Sequence, residues 1–299
     1  MSAIRPTVAV LGPRAVGGTV AAWLQASGRV DLSLCVRTPF ERLRVETPER
    51  LIDVAVHQLT DPVSASPADW VLVATKAYDV AGAADWLAQL AGPETRVAVL
   101  QNGVEHAARF APFVNEERIL PVMVDVPAER DSPGHIRQRG RGTMLVPAGE
   151  DGRAFAELFA DTAIDVAETA DFNSALWRKL CVNSAGAVMA LTLEGNGAAW
   201  REPAARAMRA LITECVAVGR AEGATLDGVL VEQVVQGYRS APRDGKNSLL
   251  ADREAGRPME WDARNGVVSR LGRKHGISTP ASDMVAALLA AIDEANRAR

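Results

Sequence analysis

The chain has 299 residues, 48% hydrophobic and 23% charged, with a net charge of −4. At the usual domain size of about 100–200 residues this length suggests two domains, and the near-neutral balance argues against a dedicated nucleic-acid binder, which carries a basic face. Cys35, Cys181 and Cys215 are far apart with no CxxC pair, so neither a zinc site nor a disulfide framework is suggested, and no uncharged apolar run reaches the about 18 residues of a membrane span.

Thr7–Leu11 reads as a buried strand that starts too early to follow a signal peptide, so a cytoplasmic protein is expected. Residues 17–26 read as a helix, 32–36 as the second strand and 54–59 as a weaker third. Residues 70–75 and 96–100 are strongly apolar strands separated by a helix over 80–90, and 119–124 is another strand. Apolar strands alternating with helices predict a parallel sheet covered on both faces. His135–Gln138 and residues 143–146 are expected to form an antiparallel hairpin at its edge. After Asp171 the strand-like runs stop, and segments such as 204–222 and 284–295 carry apolar residues at helical spacing. Gly223, Gly245, Gly276, Pro242 and Pro280 punctuate them. The fold class expected is α/β: an N-terminal Rossmann-type doubly wound parallel sheet over residues 1–170, followed by an all-helical C-terminal domain over 171–299. Trp200 and Trp261 serve either core packing or a subunit interface, core being the commoner.

Directly after the first strand comes Gly12-Pro13-Arg14-Ala15-Val16-Gly17-Gly18, where a dinucleotide fingerprint sits between strand and helix. Gly12 suits a tight turn and Gly17 a close helix–sheet approach. The opening residues Arg14, Ala15 and Val16 stand at a helix N-terminus, which favours anions. The middle glycine of the usual pattern is Arg14, which either clamps the phosphates from outside or hinders them. A ligand-free turn is the plain alternative. Arg37 ends the second strand where an NAD enzyme carries Asp or Glu; an arginine there accommodates a 2′-phosphate and favours NADPH, with Arg42 as an assistant. Such an arginine is otherwise an ordinary surface residue. Lys76 and Asn102 each follow a strand, and ligands of open α/β sheets bind outside the carboxyl ends of strands, so both are placed to line the nicotinamide end.

Lys179 and Asn183 are four apart, on one helix face, among apolar Leu176, Leu180 and Val182. An ordinary lysine, with a pKa of about 10.4, is protonated at neutral pH and can donate to a carbonyl being reduced; the asparagine could orient the substrate. The bland alternative is a lysine that snorkels to water. Ser248 can hydrogen-bond a carboxylate and Glu260 can pair with a lysine, although each alone reads as a cap, a turn residue or a solvated carboxylate. His57, His106, His135 and His275 have no metal-ligand spacing, and neither a G-x-S-x-G elbow nor a P-loop is present.

The segments WRKLCVNS, NSLLADREAGRPMEWDARNG and VVSRLGRKHGISTP, together with VAVLGPRAVGG, VLVATKAYDV and VLQNGV, resemble those of the ketopantoate reductase family in the same order. The resemblance covers nearly the whole chain. It implies a Rossmann domain followed by a helical domain, with the site in the cleft between them, and NADPH-dependent reduction of 2-dehydropantoate to pantoate in pantothenate biosynthesis. It implies Lys179 as general acid, Glu260 holding Lys179, Asn183 and Ser248 on the substrate, and Lys76 and Asn102 at the junction of cofactor and substrate. Three positions depart from the family pattern: Arg14; Ala187-Val188, where an Asn-Pro usually stands; and Asp125, where small or hydroxyl residues are usual. Ala187 and Asp125 favour a related reductase acting on another branched 2-oxo acid, and Arg14 favours a non-catalytic NADPH-binding sensor. A homodimer is the common state of soluble oligomers, and neither nucleic acid nor membrane is an expected partner.

Overall fold

Strands buried on both faces divide their side chains between two cores. The computed structural model describes residues 5–297. Its main sheet contains β1 (Thr7–Leu11), β2 (Asp31–Cys35), β3 (His57–Leu59), β4 (Trp70–Val73), β5 (Arg96–Val99) and β6 (Ile119–Pro121), all parallel, in the order β3-β2-β1-β4-β5-β6. This is the 3-2-1-4-5-6 order of dinucleotide-binding sheets, whose switch point lies between the first and fourth strands. Val8, Val10, Leu32, Leu34 and Leu72 enter one core, and Ala9, Leu11, Cys35, Val71 and Val73 the other. That period of two is why the strands read as continuous apolar runs.

Helix α1 (Ala15–Ser27) fills the first core, and α2 (Ala81–Leu90) packs over the second. On its far side α1 meets a second, four-stranded sheet of Ala128–Ser132, His135–Gln138, Leu43–Glu46 and Leu51–Val54. The indole Nε1 of Trp23 donates to Gln138 Oε1 at 2.9 Å across that contact. Gly17 and Gly18 allow the sandwich. A Cβ on Gly17 would lie 2.6 Å from the Gly12 carbonyl oxygen and 2.7 Å from Ala74 Cβ, while one on Gly18 would meet Ile136 Cδ1 at 2.2 Å. The first clash is with backbone and the second with a side-chain tip, so Gly17→Ala is expected to destabilise the chain more than Gly18→Ala. The expected loss for Gly17→Ala is about 1–3 kcal/mol, the usual cost of overpacking, read as a lower denaturation midpoint at unchanged slope.

The expected hairpin of His135–Gln138 with residues 143–146 does not form. His135–Gln138 pairs antiparallel with Ala128–Ser132 through a turn at Pro133-Gly134, where Gly134 has φ +76°. The polar Ala128–Ser132 gave no alternating signal. Gly142–Pro147 instead pairs parallel with Ile164–Thr169 and antiparallel with Met123–Asp125 in a three-stranded sheet. The expected strand 119–124 is therefore two strands. Pro121, which lacks a ladder donor, is tolerated because β6 is an edge strand, and the chain then crosses to the small sheet. The expected strand 54–59 likewise divides between Leu51–Val54 and β3, in different sheets. Helix α3 (Glu150–Leu158) follows, adding Phe155 and Leu158 to the first core.

From Phe172 on, helices carry the fold: α4 (Phe172–Ala185), α5 (Ala187–Thr192), α6 (Glu202–Ala221), α7 (Leu230–Ser240), α8 (Ser248–Glu254), α9 (Val267–His275) and α10 (Pro280–Arg297). A turn of π-helix, Asp262–Gly266, leads into α9. Trp177, Leu180, Cys181, Met208, Ile212 and Val235 centre their core. Trp261 packs against this core as expected, with Nε1 donating to Asp293 at 3.1 Å. Trp200 does not: it is 54% exposed, with the guanidinium groups of Arg243 and Arg239 over its ring at 4.8 and 5.9 Å. No described helix is long and apolar enough to cross a membrane.

The described chain forms two compact units. One runs to Gln101 and resumes over Glu105–Phe172; the other consists of Asn102–Val104 and the chain from Asn173 on.

Candidate active site

At the end of β1 the chain turns at Gly12, with φ +75°. A Cβ there would lie 2.9 Å from the Thr75 backbone, so only glycine lets the turn nest against the end of β4. The Arg14 N–H turns back onto the Gly12 carbonyl at 2.7 Å, and the Arg14 side chain is exposed. Helix α1 begins at Ala15 with no side-chain cap and no acidic residue in its first turn. The amides of Ala15, Val16 and Gly17 have no carbonyl one turn back, and with the helix dipole they favour an anion. A side chain at Gly12 or Gly17 would clash with Thr75 or with the Gly12 carbonyl and Ala74 and so break the turn, and no carboxylate in the first turn of α1 repels an anion: these residues fit a dinucleotide.

Arg37 follows β2, and its Nη2 donates to both carboxylate oxygens of Asp79 at 2.9 Å. The Arg37 side chain is 76% exposed, leaving the rest of its fork open to a second acceptor. Arg42 is committed elsewhere: its Nε pairs with the Asp53 carboxylate and its Nη2 donates to the Asp53 carbonyl at 2.9 Å. The ends of β4 and β5 are tied by buried Gln101. Its Nε2 donates to Thr75 Oγ1 at 3.0 Å, and its Oε1 accepts from Arg109 Nη1 at 2.9 Å. The His106 ring bonds the Gln101 carbonyl at 2.7 Å. This network fixes the loop that starts at Thr75, and half-buried Lys76 is the next residue. Asp125 is exposed, opposite Thr143 in the small sheet. A cavity of about 520 Å³ lined by Thr7, Asp31, His57 and Pro67 lies at the amino ends of the strands, the wrong end of such a sheet for ligand chemistry.

In the helical unit, α4 turns Trp177, Leu180 and Cys181 into the core, which leaves half-buried Lys179 and Asn183 together on another face. Asn102 connects two of the expected residues. Its Nδ2 donates to Glu260 Oε2 at 3.2 Å, and its Oδ1 accepts from Asn183 Nδ2 at 3.5 Å. Glu260 is 5% exposed, so this carboxylate is held by hydrogen bonds rather than by water. Exposed Ser248 opens α8, capped by Asn247, whose Oδ1 accepts from the Leu250 amide at 2.9 Å. The Tyr238 hydroxyl donates to the Val182 carbonyl at 2.8 Å, and burial pushes it up to about 12, so it stays neutral. Ala187 and Val188 are buried among apolar neighbours.

One further residue stands beside this group. Arg264, on the π-turn, donates from Nη2 to Ser248 Oγ at 2.7 Å. Its neighbour Asn265 donates to the carbonyl and hydroxyl of Ser184 at 3.2 and 3.0 Å, clamping the π-turn to α4. An arginine among charged neighbours in a helical pattern gave no signal of this role; only the unusual turn makes it visible.

The sequence model of the family "Ketopantoate reductase PanE/ApbA" matches residues 8–151, and that of its C-terminal region matches residues 171–293. The chain belongs to this family. Ketopantoate reductases are NAD(P)-dependent reductases of a small oxo acid. A 2-dehydropantoate 2-reductase from Caulobacter vibrioides is 54% identical to this chain over 283 residues, 95% of this chain and 98% of that protein. One from Mycobacterium tuberculosis is 41% identical over 290 residues, 96% and 98% of the two chains. The crystal structure of a PanE/ApbA family ketopantoate reductase from Ralstonia eutropha superposes with a TM-score of 0.89 at 31% identity, covering 97% of this chain and 99% of that one.

Proposed function

We propose that this chain reduces 2-dehydropantoate to pantoate with NADPH, the amino-terminal unit holding the dinucleotide and the helical unit supplying the acid and the substrate contacts. The observation that carries the reading is the Caulobacter relative, 54% identical across 95% of the chain, supported by Asn102, Asn183 and Glu260 meeting in one hydrogen-bonded group. Gly12, Arg14, Ala15, Val16 and Gly17 would hold the pyrophosphate and Arg37 the 2′-phosphate, with Lys76 nearby. When bound, NADPH supplies the hydride that reduces the carbonyl carbon. Lys179 would give its proton to the carbonyl oxygen as the hydride arrives, so no free alkoxide has to form. Asn102 donates one amide hydrogen to Glu260, which fixes its Oδ1 toward Asn183 and so orients the Asn183 amide for the substrate. Glu260 would hold Lys179 in place by a charge-assisted hydrogen bond. Ser248 binds the substrate carboxylate. The setting proposed is the cytoplasm, where thiols such as buried Cys35, Cys181 and Cys215 stay reduced, and the chain is proposed to act as a homodimer.

The test is oxidation of NADPH by purified protein with 2-dehydropantoate, followed by loss of nicotinamide absorbance, beside NADH and a panel of 2-oxo acids. Turnover that prefers 2-dehydropantoate supports the reading. Turnover only on another branched 2-oxo acid would assign a reshaped pocket, the reading that Ala187 favours by removing an amide. No turnover on any 2-oxo acid would refute both.

A further inference from the structure

Arg264 is a buried cation that forms no ion pair among the described residues. It is 3% exposed, and its Nε and Nη1, both shielded from solvent, have no hydrogen-bond partner. Its Nη2 bond to Ser248 goes to a neutral oxygen. The acidic residues near it in sequence have partners of their own: Asp262 pairs with Arg270 at 2.6 Å, Asp252 with Arg257 at 2.9 Å, and Glu260 accepts from Asn102 at 3.2 Å. Tyr238, raised by its burial, is no tyrosinate. Burying a guanidinium in this state is costly, and such a group in a native fold requires an explanation.

The hydrogen-bond chemistry supplies one. Arginine only donates, so Ser248 Oγ accepts from Arg264 and its own hydrogen must point elsewhere. Ser248 is exposed; its hydroxyl is therefore a donor turned outward, backed by a fixed positive charge. Such a pair suits an anion, since charge-assisted hydrogen bonds are the strong ones. The turn that carries Arg264 is wound as π-helix and anchored to α4 through Asn265 and Ser184, which sets the guanidinium rigidly behind the hydroxyl. Buried Ala187 offers no amide to a substrate.

We infer that Ser248 and Arg264 form a two-layer receptor for the substrate carboxylate, Ser248 donating the hydrogen bond and Arg264, as a positioning residue, aiming that hydroxyl and supplying the charge. The inference rests on the reading of the substrate as a 2-oxo acid. It predicts that the chain distinguishes the acid from its neutral methyl ester chiefly through this pair.

The experiment compares wild type, Arg264→Met, Arg264→Lys and Ser248→Ala with 2-dehydropantoate and its methyl ester. It also measures calorimetric binding of pantoate and, separately, of NADPH. In Arg264→Met, KM for the acid is expected to rise about 10- to 100-fold, the scale of a charged hydrogen bond. KM for the ester and affinity for NADPH are expected to stay within about twofold. Arg264→Lys, which keeps the charge, recovers part of the preference for the acid. Ser248→Ala loses most of that preference, and adding Arg264→Met to it costs little more, as coupled partners should. Removing an unpaired buried charge leaves the melting temperature unchanged or raises it. Equal losses on acid and ester, an unchanged preference in Arg264→Met, or a large fall in melting temperature without change in preference would overturn the inference. The pantoate arm separates it from the reading of function: if wild type turns over no 2-oxo acid, that reading fails, whereas the receptor stands or falls on whether Arg264→Met weakens pantoate binding tenfold or leaves it unaltered.

Discussion

Lys179→Ala is expected to lower kcat by at least about 100-fold, the lower end of what a positioned acid contributes. The residues of α4 that build the core are Trp177, Leu180, Cys181 and Ala185, and Lys179 is not among them. Alanine is also the best helix former, so α4 should persist and the melting temperature should barely move. Binding of NADPH, proposed to draw on the other unit, should be unchanged. The loss should therefore appear in kcat, in single-turnover as well as steady-state rates. A kcat within tenfold of wild type would remove Lys179 from the proton transfer.

Arg37→Ala is expected to weaken NADPH about tenfold or more and NADH by less than about twofold. A hydrogen bond to a charged group is worth about 1.5–3 kcal/mol, or about 10- to 150-fold in affinity. The Asp79 pair works against part of this, because the phosphate must share the guanidinium with a carboxylate 2.9 Å from Nη2. That offset is small: exposed ion pairs contribute about 0–1 kcal/mol, and the Arg37 side chain is 76% exposed. Dissociation constants for both dinucleotides, measured at two salt concentrations, check the result. Equal weakening of NADPH and NADH would mean that Arg37 does not contact the 2′-phosphate.

Much of the architecture was legible because burial leaves a simple mark. The central main-sheet strands β1, β4 and β5 are buried on both faces and read as apolar runs, and the long helices show apolar residues at helical spacing. The two smaller sheets and the edge strand β3 were not legible. Ala128–Ser132 is a polar strand, and Leu51–Val54 and β3 are nearly continuous in sequence but pair in different sheets. In the site, Gly12 and Gly17 could be named from position alone, because a dinucleotide turn demands small residues there. Arg264 could not, because its role comes from a π-turn and from a contact with Ser248 sixteen residues away. The network of Gln101 with Thr75 and Arg109 was hidden for the same reason: its members are distant in sequence and ordinary in type.

The chain passes between its two units three times, because Asn102–Val104 leaves the α/β unit, joins the helical one and returns before the final crossing near Phe172. Asn102 is bonded there to Glu260, and Val104 packs on the helical core. The helical unit is therefore discontinuous and cannot be cut out as one piece: a fragment starting at Asn173 would lack Asn102 and leave one hydrogen bond of the Glu260 carboxylate unmade. Native-state amide exchange should reveal the same connection. Residues 102–104 should lose protection together with α4 and the π-turn rather than with β5, which immediately precedes them in sequence, because cooperative opening follows contacts and not chain order.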